Sequence, residues 1–477
     1  MELAVLIFLS SGLFLGWSLG ANDASNVFGT AVASRMISFT TAAVICSVFL
    51  ILGAVFSGAG AAHGLGALGS LNALPGAFMA AFSAALTVFW MTKAGLPVST
   101  TQAVVGAIVG WNLFSGSITD LKVLAKILST WVACPVLGAI FGALLYKLTV
   151  KVVYWSKTHL LTLDAYTRWG LILAGAFGSY SLGANNIGNV MGVFVSASPF
   201  TDLELFGATF TSVQQLFLVG GLAIAVGVFT YSKRVLMTVG SSLMPLNPQA
   251  AWVVVVAHSL VLFLFSSIAL ESFLAGKGLP TIPLIPVSSS QAVVGAVIGI
   301  GLLVGRRGAR QIRWRVLLNI AQGWVMTPDI AALICFVLLF VLQNVFNQVV
   351  YKPVYYQVTP PVVQYLEQSG EDADGLAELI EYEPYTGERF LRRLREHTSL
   401  SREQEAQVLG ASKLHPMSID REGIGELHQQ HADLLDEGQM EAVRGLQGRH
   451  YDYQWQLYEA LAAMSPSWEK RADTKVN

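Results

Sequence analysis

The stretch G-L-P-V-S-T-T-Q-A-V-V-G-A-I-V-G at residues 95–110 occurs a second time, as L-I-P-V-S-S-S-Q-A-V-V-G-A-V-I-G at 284–299. The identical positions include polar as well as apolar residues, so chance reuse of Gly- and Ala-rich membrane segments does not explain the match. We infer that the chain contains a duplicated unit.

Two further pairs of segments support the duplication. S-L-G-A-N-D-A-S-N-V-F-G at 18–29 matches S-L-G-A-N-N-I-G-N-V-M-G at 181–192, and T-W-V-A-C-P at 130–135 more faintly matches G-W-V-M-T-P at 323–328. The order of the segments is the same in both halves. Duplication therefore extends over most of the first 350 residues.

Composition separates a membrane body from a soluble tail. Of the 477 residues, 54% are hydrophobic and 12% are charged, whereas about 25% are charged in a typical soluble protein. Residues 1–350 hold 8 of the 30 acids and 16 of the 29 Lys and Arg, so most acids lie in the last part of the chain. We predict three domains: a first membrane repeat at 1–160, a second, inverted repeat at 161–350, and a soluble acidic tail at 351–477.

The apolar segments predict the membrane architecture, because a spanning helix needs about 20 apolar residues. Runs that approach this length are 3–19, 39–61, 73–92, 98–114, 125–150, 169–184, 206–231, 250–274, 284–305 and 316–350. Each half holds five runs, and an odd number of crossings inverts the second half. We predict an all-α polytopic membrane protein, an inverted-repeat transporter of about 10–12 membrane helices with discontinuous or re-entrant segments. Helix-like patterns at 389–396 and 425–445 add a soluble helical tail.

Basic residues predict the orientation in an inner (plasma) membrane, since cytoplasmic loops are rich in Lys and Arg. With the N-terminus outside, 13 basic residues fall in inner loops, and only Lys122, Lys126 and Lys277 fall outside. The inner set is Arg35, Lys93, Lys147, Lys151, Lys157, Arg168, Lys233, Arg234, Arg306, Arg307, Arg310, Arg313 and Arg315. Both termini, and with them the tail, are therefore predicted to be extracytoplasmic.

The first repeated motif places polar residues at membrane depth, where such residues are functional candidates by default. Asn22 and Asn26 are four residues apart and share a helix face, and the same motif contains Asp23. The second copy supplies Asn185, Asn186 and Asn189. Adjacent glycines permit a break in each helix, and a broken helix offers free amides to an anion and free carbonyls to a cation.

The second repeated motif supplies hydroxyl groups after a proline, Pro97 or Pro286. The hydroxyl and amide residues are Ser99, Thr100, Thr101 and Gln102 in the first copy and Ser288, Ser289, Ser290 and Gln291 in the second. Such neutral donors suit a dianion that must be released, whereas a Lys or Arg clamp would hold it more tightly. The alternative is that these hydroxyls only cap a helix.

Two acids of the body lie deep in apolar sequence, Asp23 and Asp329. Asp23 is the candidate for coupling a cation, as a sodium ligand or a proton carrier, because it lies in the repeated motif. Asp329 follows Thr327-Pro328, and it is either a second coupling site or a helix N-terminal acid. We interpret His63 and His258 as packed or interfacial residues rather than ligands.

Residues 20–30, G-A-N-D-A-S-N-V-F-G-T, resemble the signature of the PiT family of inorganic phosphate transporters, and 183–192 resembles its second copy. The resemblance implies a symporter that is driven by sodium or protons and works by alternating access. It also implies which residues surround the anion and the cation: Asn22, Asp23, Asn26, Ser99, Thr100, Thr101, Asn185, Asn189, Ser288, Ser289 and Ser290. Asn186 departs from the family pattern, which has a second aspartate there, and Gln102, Gln291 and Asp329 complete the predicted coupling set.

The predicted function is uptake of inorganic phosphate with a monovalent cation, in a lipid bilayer, without a cofactor or nucleic acid. Sulfate is the closest alternative substrate, and a passive anion channel or a substrate-sensing receptor is an alternative of another class. An enzyme is not predicted, because no Ser-His-Asp arrangement, metal-ligand pair or phosphate-binding loop appears. The three cysteines lie far apart in apolar sequence, which argues against disulfides or a thiolate metal site. A homodimer is left open.

Overall fold

The computed structural model consists mainly of α-helices. It describes residues 3–66, 68, 71–94, 98–205, 208–233, 235, 244, 246–369, 375–380, 383–421, 423–425, 427 and 436–468. Residues 95–97 with Pro97, the inner-loop Arg234 and the side chain of His63 lie outside this description. By internal contacts the chain divides into two compact units, Met1–Ser115 with Thr119–Lys352, and Gly116–Ile118 with Pro353–Asn477.

The first repeat begins with two long helices and ends with the longest one. Its described helices are α1 (Leu3–Ala33), α2 (Phe39–Ser57), α3 (Ala59–Gly66), α4 (Leu74–Lys93), α5 (Thr100–Ser115) and α6 (Leu121–Ser156). Helix α2 begins after Ser38, whose hydroxyl accepts from the backbone N–H of Thr41. Helix α6 begins after Asp120, whose carboxylate accepts from two backbone N–H groups. Polar caps therefore fix where these apolar helices start.

The second repeat follows the same order. Its described elements are α7 (Leu160–Met191), a 3-10 helix (Gly192–Ala197), β1 (Leu203–Leu205), β2 (Ala208–Phe210), α8 (Ser212–Thr230), α9 (Pro248–Leu264), α10 (Ile268–Gly276), α11 (Ser289–Leu303), α12 (Arg306–Gln311) and α13 (Trp314–Asn344). Strands β1 and β2 pair antiparallel, with Leu203 opposite Phe210. Helices α9 and α10 are bent by 63° at the short break between them.

The two repeats pack against each other through equivalent pairs of helices. Helix α1 packs against α8, and its counterpart α7 packs against α2. In the same way α5 packs against α13, and its counterpart α11 packs against α6. Each repeat therefore completes the other, as expected of two copies related by a pseudo-twofold axis.

Glycines at matching positions make these contacts close. A Cβ atom on Gly20 of α1 would lie 2.0 Å from the carbonyl oxygen of Ile224, and one on Gly183 of α7 would lie 2.0 Å from that of Leu50. Only glycine allows helix backbones to approach so closely. The repeated S-L-G-A-N sequence therefore fixes the same helix crossing twice.

Close backbone contact at glycines also explains the faint repeat of 130–135 at 323–328. A Cβ on Gly106 of α5 would lie 2.1 Å from the carbonyl oxygen of Pro328, and a Cβ on Gly295 of α11 would lie 2.1 Å from that of Pro135. Both prolines lie inside long helices, α6 and α13. These glycines and prolines therefore bring each short helix into close backbone contact with a long helix of the other half.

Helix lengths refine the count of membrane crossings. Among the described residues, six helices are long and apolar enough to cross a membrane, α1, α2, α4, α6, α8 and α13, and the bent pair α9–α10 would be a seventh. Helices α5 and α11 have 16 and 15 residues, which is only about 24 and 22 Å at 1.5 Å per residue. A hydrocarbon core is about 30 Å thick, so the helices within the runs 98–114 and 284–305 are too short to cross it.

The short helices occupy equivalent places in the two halves. Helix α5 packs against α4, and α11 packs against α9. Helix α7 has 32 residues but is rich in Gly, Ser and Asn, which explains why it is less apolar than its counterpart α1. The prediction of an all-α membrane protein with inverted repeats and re-entrant segments is confirmed.

The second unit has its own small hydrophobic core. Its described helices are α14 (Pro360–Gln368), α15 (Gly387–His397), α16 (Arg402–Ser412), α17 (Glu437–Gly445) and α18 (Gln454–Met464). Short antiparallel strands, β3 (Tyr355–Tyr356) with β4 (Tyr385–Thr386) and β5 (Met417–Ser418) with β6 (His450–Tyr451), connect them. Val362, Phe390, Leu394 and Val408 are buried in its centre. The predicted helix at 389–396 lies within α15, and the part of 425–445 that forms a described helix is α17.

Candidate functional site

Fourteen of the predicted site residues are buried together in the first unit. Each is at most 7% exposed: Asn22, Asp23, Asn26, Ser99, Thr100, Thr101, Gln102, Asn185, Asn186, Asn189, Ser288, Ser289, Ser290 and Gln291. Polar groups in the interior of a membrane protein are costly unless they bind one another or a ligand. Their hydrogen bonds therefore indicate how the cluster is used.

Helix α1 reaches the start of both short helices. The side-chain amide of Asn22 donates to the carbonyl oxygen of Val98 at 3.1 Å, just before α5. One turn later, the amide of Asn26 donates to the hydroxyl of Ser289 at 3.0 Å, at the start of α11. The first motif therefore contacts the hydroxyl segments of both repeats.

Helix α7 does the same from the other repeat. The side-chain oxygen of Asn185 accepts from the backbone N–H of Val287 at 2.9 Å, and the amide of Asn189 donates to the Thr101 hydroxyl at 2.9 Å. Thr101 in turn donates to the Val287 carbonyl oxygen at 3.4 Å. The four motifs predicted from the repeats thus meet in one cluster.

The N-termini of α5 and α11 lie at this cluster. Ser99 and Ser288 cap them, since their hydroxyls accept from the backbone N–H of Gln102 and of Gln291, both at 3.3 Å. The capping alternative therefore applies to these two serines. Thr100, Thr101, Ser289 and Ser290 belong to the first helical turns, where free N–H groups and the helix dipoles favour an anion.

Asp23 is the single buried carboxylate among the described residues, and the buried side chains there include no lysine or arginine. Its Oδ1 accepts from the side-chain amide of Asn22 at 2.8 Å. At the matching position of the second repeat, the oxygen of Asn186 accepts from the Asn189 amide at 3.0 Å, and its own amide donates to the Leu182 carbonyl oxygen. Asn186 therefore accepts a hydrogen bond as Asp23 does, but from a different asparagine of its motif and without a negative charge.

Several buried polar atoms of the cluster have no hydrogen-bond partner within the described part of the chain. They are Thr100 Oγ1, Gln102 Oε1, Asn185 Nδ2, Asn189 Oδ1 and Gln291 Oε1. Buried polar groups are normally paired, so unpaired groups that converge in one place require an explanation. Donors and acceptors are both present, which is what a site for an anion together with a cation needs.

Asp329 does not belong to the cluster. Its side chain is exposed on α13, whereas Thr327, two residues earlier, is fully buried. Asp329 lies deep in an apolar run of the sequence, as a coupling residue would, but its side chain is on an exposed face of α13. Its role in cation coupling stays a prediction without a contact to support it.

His258, by contrast, was not predicted as a site residue and lies at the cluster. It is fully buried on α9, and its Nε2 lies 2.9 Å from the hydroxyl oxygen of Ser289. A titratable residue inside the apolar run 250–264 was the available signal, because such residues at membrane depth are functional candidates.

A cavity of about 250 Å³ lies at the break between α9 and α10. Its lining includes Tyr180, Ser181, Ala184 and Ser266, and Ala184 directly precedes Asn185. The Tyr180 hydroxyl lies 2.6 Å from that of Ser57 across this cavity wall. Ser57 of the first repeat and Tyr180 of the second therefore meet at the wall of this cavity.

Known proteins resemble this chain in sequence, and one solved structure resembles it in fold. A protein of Methanocaldococcus jannaschii that is named as a phosphate permease is 26% identical over 71% of this chain and 98% of its own length. A phosphate permease of Haemophilus influenzae is 24% identical over 70% of this chain and 96% of its own. A solved structure, the sodium-dependent phosphate transporter, has the same fold, with a TM-score of 0.57 and 23% identity over 72% of this chain and 99% of that one.

The model of the phosphate transporter family matches residues 19–166, 158–335 and 279–381. The first two segments correspond to the two repeats, and together the three cover well over half of the chain. These are also the residues that bring the four motifs into one buried cluster. The resemblance in the motifs is thus confirmed, and the chain belongs to the phosphate transporter family.

Proposed function

We propose that this protein imports inorganic phosphate across the membrane together with a coupling cation, sodium or a proton, by alternating access. One observation carries the proposal. Hydrogen bonds join the four repeated motifs into one buried cluster with one carboxylate, and buried amide and hydroxyl atoms of these motifs in both repeats have no partner among the described residues. The related permeases named above and the sodium-dependent phosphate transporter support the choice of substrate.

The anion is held by neutral donors. Thr100 Oγ1 and Asn185 Nδ2 are free to donate, and the N-termini of α5 and α11 add backbone N–H groups. Neutral donors bind a dianion less tightly than an Arg or Lys clamp would. Release on the far side of the membrane therefore remains fast enough for transport.

The cation is held by oxygen atoms at the edge of the same cluster. Asp23 supplies the charge, and the unpaired Gln102 Oε1 and Gln291 Oε1 supply neutral oxygens, one from each repeat. Carboxylate and amide oxygens suit a hard cation. Because Asn186 is neutral, the second repeat adds no carboxylate of its own, and we leave the exposed Asp329 out of the site.

Phosphate is preferred over sulfate because the site also contains an unpaired acceptor. Phosphate keeps a proton near neutral pH and can donate a hydrogen bond, whereas sulfate can only accept. Asn189 Oδ1 is a buried acceptor without a partner among the described residues. A donor on the substrate would satisfy it, and sulfate would leave it unpaired.

Uptake into proteoliposomes tests the function and its alternatives. Labelled phosphate and labelled sulfate are supplied separately, with a sodium gradient or a proton gradient imposed alone. We expect phosphate to accumulate under at least one gradient and sulfate to accumulate more weakly. Phosphate flux that is unaffected when both gradients are collapsed would indicate a passive channel, and the absence of phosphate flux would contradict transport altogether.

We propose that both termini are extracytoplasmic, because this orientation puts the basic loops around Arg35, Lys157 and Arg307 on the cytoplasmic side, where Lys and Arg are enriched. Ser399 of the second unit and Arg307 are both exposed, and the three native cysteines are buried. In intact cells a membrane-impermeant maleimide should label Ser399→Cys and spare Arg307→Cys. The reverse pattern would overturn the orientation.

A further inference from the structure

A basic segment at the C-terminal end of α11 takes no part in the binding scheme above. Helix α12 and the residues that follow it contain five exposed arginines within ten residues of sequence: Arg306, Arg307, Arg310, Arg313 and Arg315. In the first repeat, the equivalent segment before 130–135 contains three charged residues, Asp120, Lys122 and Lys126. The group of arginines is therefore a feature of the second repeat alone.

Helix α12 lies across the end of α11. A Cβ on Gly308 of α12 would clash with the carbonyl oxygen of Gly301 of α11, and one on Gly301 would lie 2.7 Å from the Ile312 side chain. The indole N–H of Trp314 donates to the carbonyl oxygen of Ala309 at 3.0 Å, which holds the start of α13 beside α12. Gly308 and Ile312 are buried, whereas all five arginines are exposed. The segment therefore packs one face on the protein and leaves its basic face open.

The C-terminal part of α6 extends to the same end of the first unit. Helices α6 and α11 run parallel, because the contact of Gly299 with Ala139 lies one turn beyond the contact of Gly295 with Pro135. Helix α11 ends one turn after Gly299, whereas α6 continues to Ser156. The last turns of α6 are therefore level with α12.

These turns of α6 add two lysines to the basic segment. Lys147 and Lys151 lie about two and about three turns beyond Ala139, and both are exposed. Tyr146, next to Lys147, packs against the hydrophobic cluster that contains Ile312. We call these two lysines and the five arginines the basic surface.

No carboxylate neutralises the basic surface from the segments that form it. Residues 121–163 and 272–328, which include α6, α11, α12 and the start of α13, contain no Asp or Glu. None of the seven basic side chains forms an ion pair with a described residue. The basic surface therefore carries seven positive charges that an anionic partner would balance.

Exposed apolar side chains border the basic surface on α11 and α13. Leu302, Leu303 and Leu318 are exposed there, and so is Trp314 between two of the arginines. On α6, the Lys151 ammonium lies 4.8 Å from the centroid of the Trp155 ring. Tryptophan and basic side chains beside an apolar surface are typical of the level at which hydrocarbon meets lipid headgroups.

We propose that the basic surface binds the phosphate-bearing headgroups of anionic phospholipids, whose acyl chains cover the exposed leucines beside it. Guanidinium groups bind phosphate oxygens through pairs of N–H donors. The apolar border favours a lipid over free inorganic phosphate, since the headgroup and the acyl chains of one molecule match the two adjoining surfaces. Charged donors hold such a ligand tightly, in contrast to the neutral donors of the buried cluster.

Lipid titration of the full-length protein in detergent tests the proposal. Phosphatidylglycerol, which is anionic, and phosphatidylcholine, which is neutral, are added separately, and bound lipid is counted by native mass spectrometry. Each Lys or Arg near an anionic lipid surface favours binding by about fivefold. We therefore expect wild-type protein to bind phosphatidylglycerol at least about tenfold more tightly than phosphatidylcholine. Arg307→Gln combined with Arg310→Gln should weaken phosphatidylglycerol binding at least about tenfold and leave phosphatidylcholine binding unchanged.

Lys126→Gln combined with Lys277→Gln is the matched control, because it removes two exposed charges outside the basic surface. This control should bind phosphatidylglycerol as wild type does. Thermal unfolding gives a second measurement: without added lipid all three proteins should unfold at the same temperature, since only exposed side chains change. Phosphatidylglycerol should raise the Tm of wild type and of the control more than that of the arginine variant.

Equal affinity of wild type for the two lipids would overturn the proposal. So would an arginine variant that keeps wild-type affinity for phosphatidylglycerol, or a control that loses as much affinity as the arginine variant. A further titration adds inorganic phosphate, or chloride at the same ionic strength. Phosphatidylglycerol should stay bound equally in both, and displacement by phosphate alone would identify a site for the free ion instead. The proposed function is measured separately, by uptake, and does not depend on these results.

Discussion

Replacing Asp23 by Asn is expected to abolish gradient-driven phosphate uptake, by at least about 100-fold, without preventing insertion into the membrane. Asp23 is the only buried carboxylate among the described residues, and the matching residue of the second repeat, Asn186, is neutral. Loss of this charge leaves a buried cation with only neutral oxygens, and an unpaired buried charge is costly. Uptake of labelled phosphate under an imposed sodium or proton gradient measures the effect.

Asp329→Asn is the matched control for Asp23→Asn. It removes a carboxylate at similar depth in a long apolar helix, but one whose side chain is exposed on α13. Uptake by Asp329→Asn should stay within about twofold of wild type, since no described contact links it to the cluster. Full activity of Asp23→Asn would remove Asp23 from coupling, and loss of activity in Asp329→Asn would restore the sequence-based prediction of a second coupling site.

Replacing Gly183 by Ala should destabilise the first unit by at least about 3 kcal/mol. The added Cβ would lie 2.0 Å from the Leu50 carbonyl oxygen and 3.0 Å from the backbone nitrogen of Ala54. Both atoms belong to the backbone of α2, so no side-chain rotation can relieve the clash. Helices α2 and α7 must move apart, and Asn185 and Asn189 on α7 would move with them.

Gly221→Ala is the control, because it makes the same chemical change in α8. A Cβ there would meet its nearest neighbours, atoms of Ile51, at 3.4 and 3.5 Å, which are ordinary contact distances. Thermal unfolding of the purified protein in detergent should show a large loss of stability for Gly183→Ala and almost none for Gly221→Ala. Equal stability of the two variants would contradict the close packing that the repeated S-L-G-A-N sequence implies.

The repeats made the membrane fold predictable, and they predicted that the polar residues of the candidate site would lie close together. Because Asn22 and Asn185, or Thr100 and Ser289, occupy matching positions of two copies, a pseudo-twofold axis brings them to equivalent places. The glycines and prolines of the repeats marked the helix crossings, but their role became visible only with backbone distances. The matched motifs therefore predicted that the residues meet, without predicting which atoms stay unpaired.

Other features depend on geometry that an apolar run does not encode. The hydropathy of 98–114 is the same whether the segment crosses the membrane or ends halfway, and only the helix bounds distinguish the two cases. Asp329 and His258 both interrupt apolar runs. The turn of each helix exposes the carboxylate of Asp329 and buries the imidazole of His258 at Ser289, a difference that depth in an apolar run does not predict.

Whether a hydroxyl caps its helix or stays unpaired depends on where the helix begins, to within one residue. Ser99 and Ser288 precede the first helical turn, so their oxygens accept from the backbone of α5 and α11. Thr100, one position later, keeps an unpaired hydroxyl. Sequence alone identified the hydroxyl triplets but could not locate the helix start within them.

The central claim is that both repeats build one anion site, and calorimetric titration of the purified protein with phosphate tests it most directly. We predict one phosphate bound per chain in the presence of the coupling cation, with binding lost in Thr100→Val of the first repeat and equally in Asn185→Leu of the second. Two phosphates per chain, or a full-affinity site that survives either substitution, would contradict a shared site.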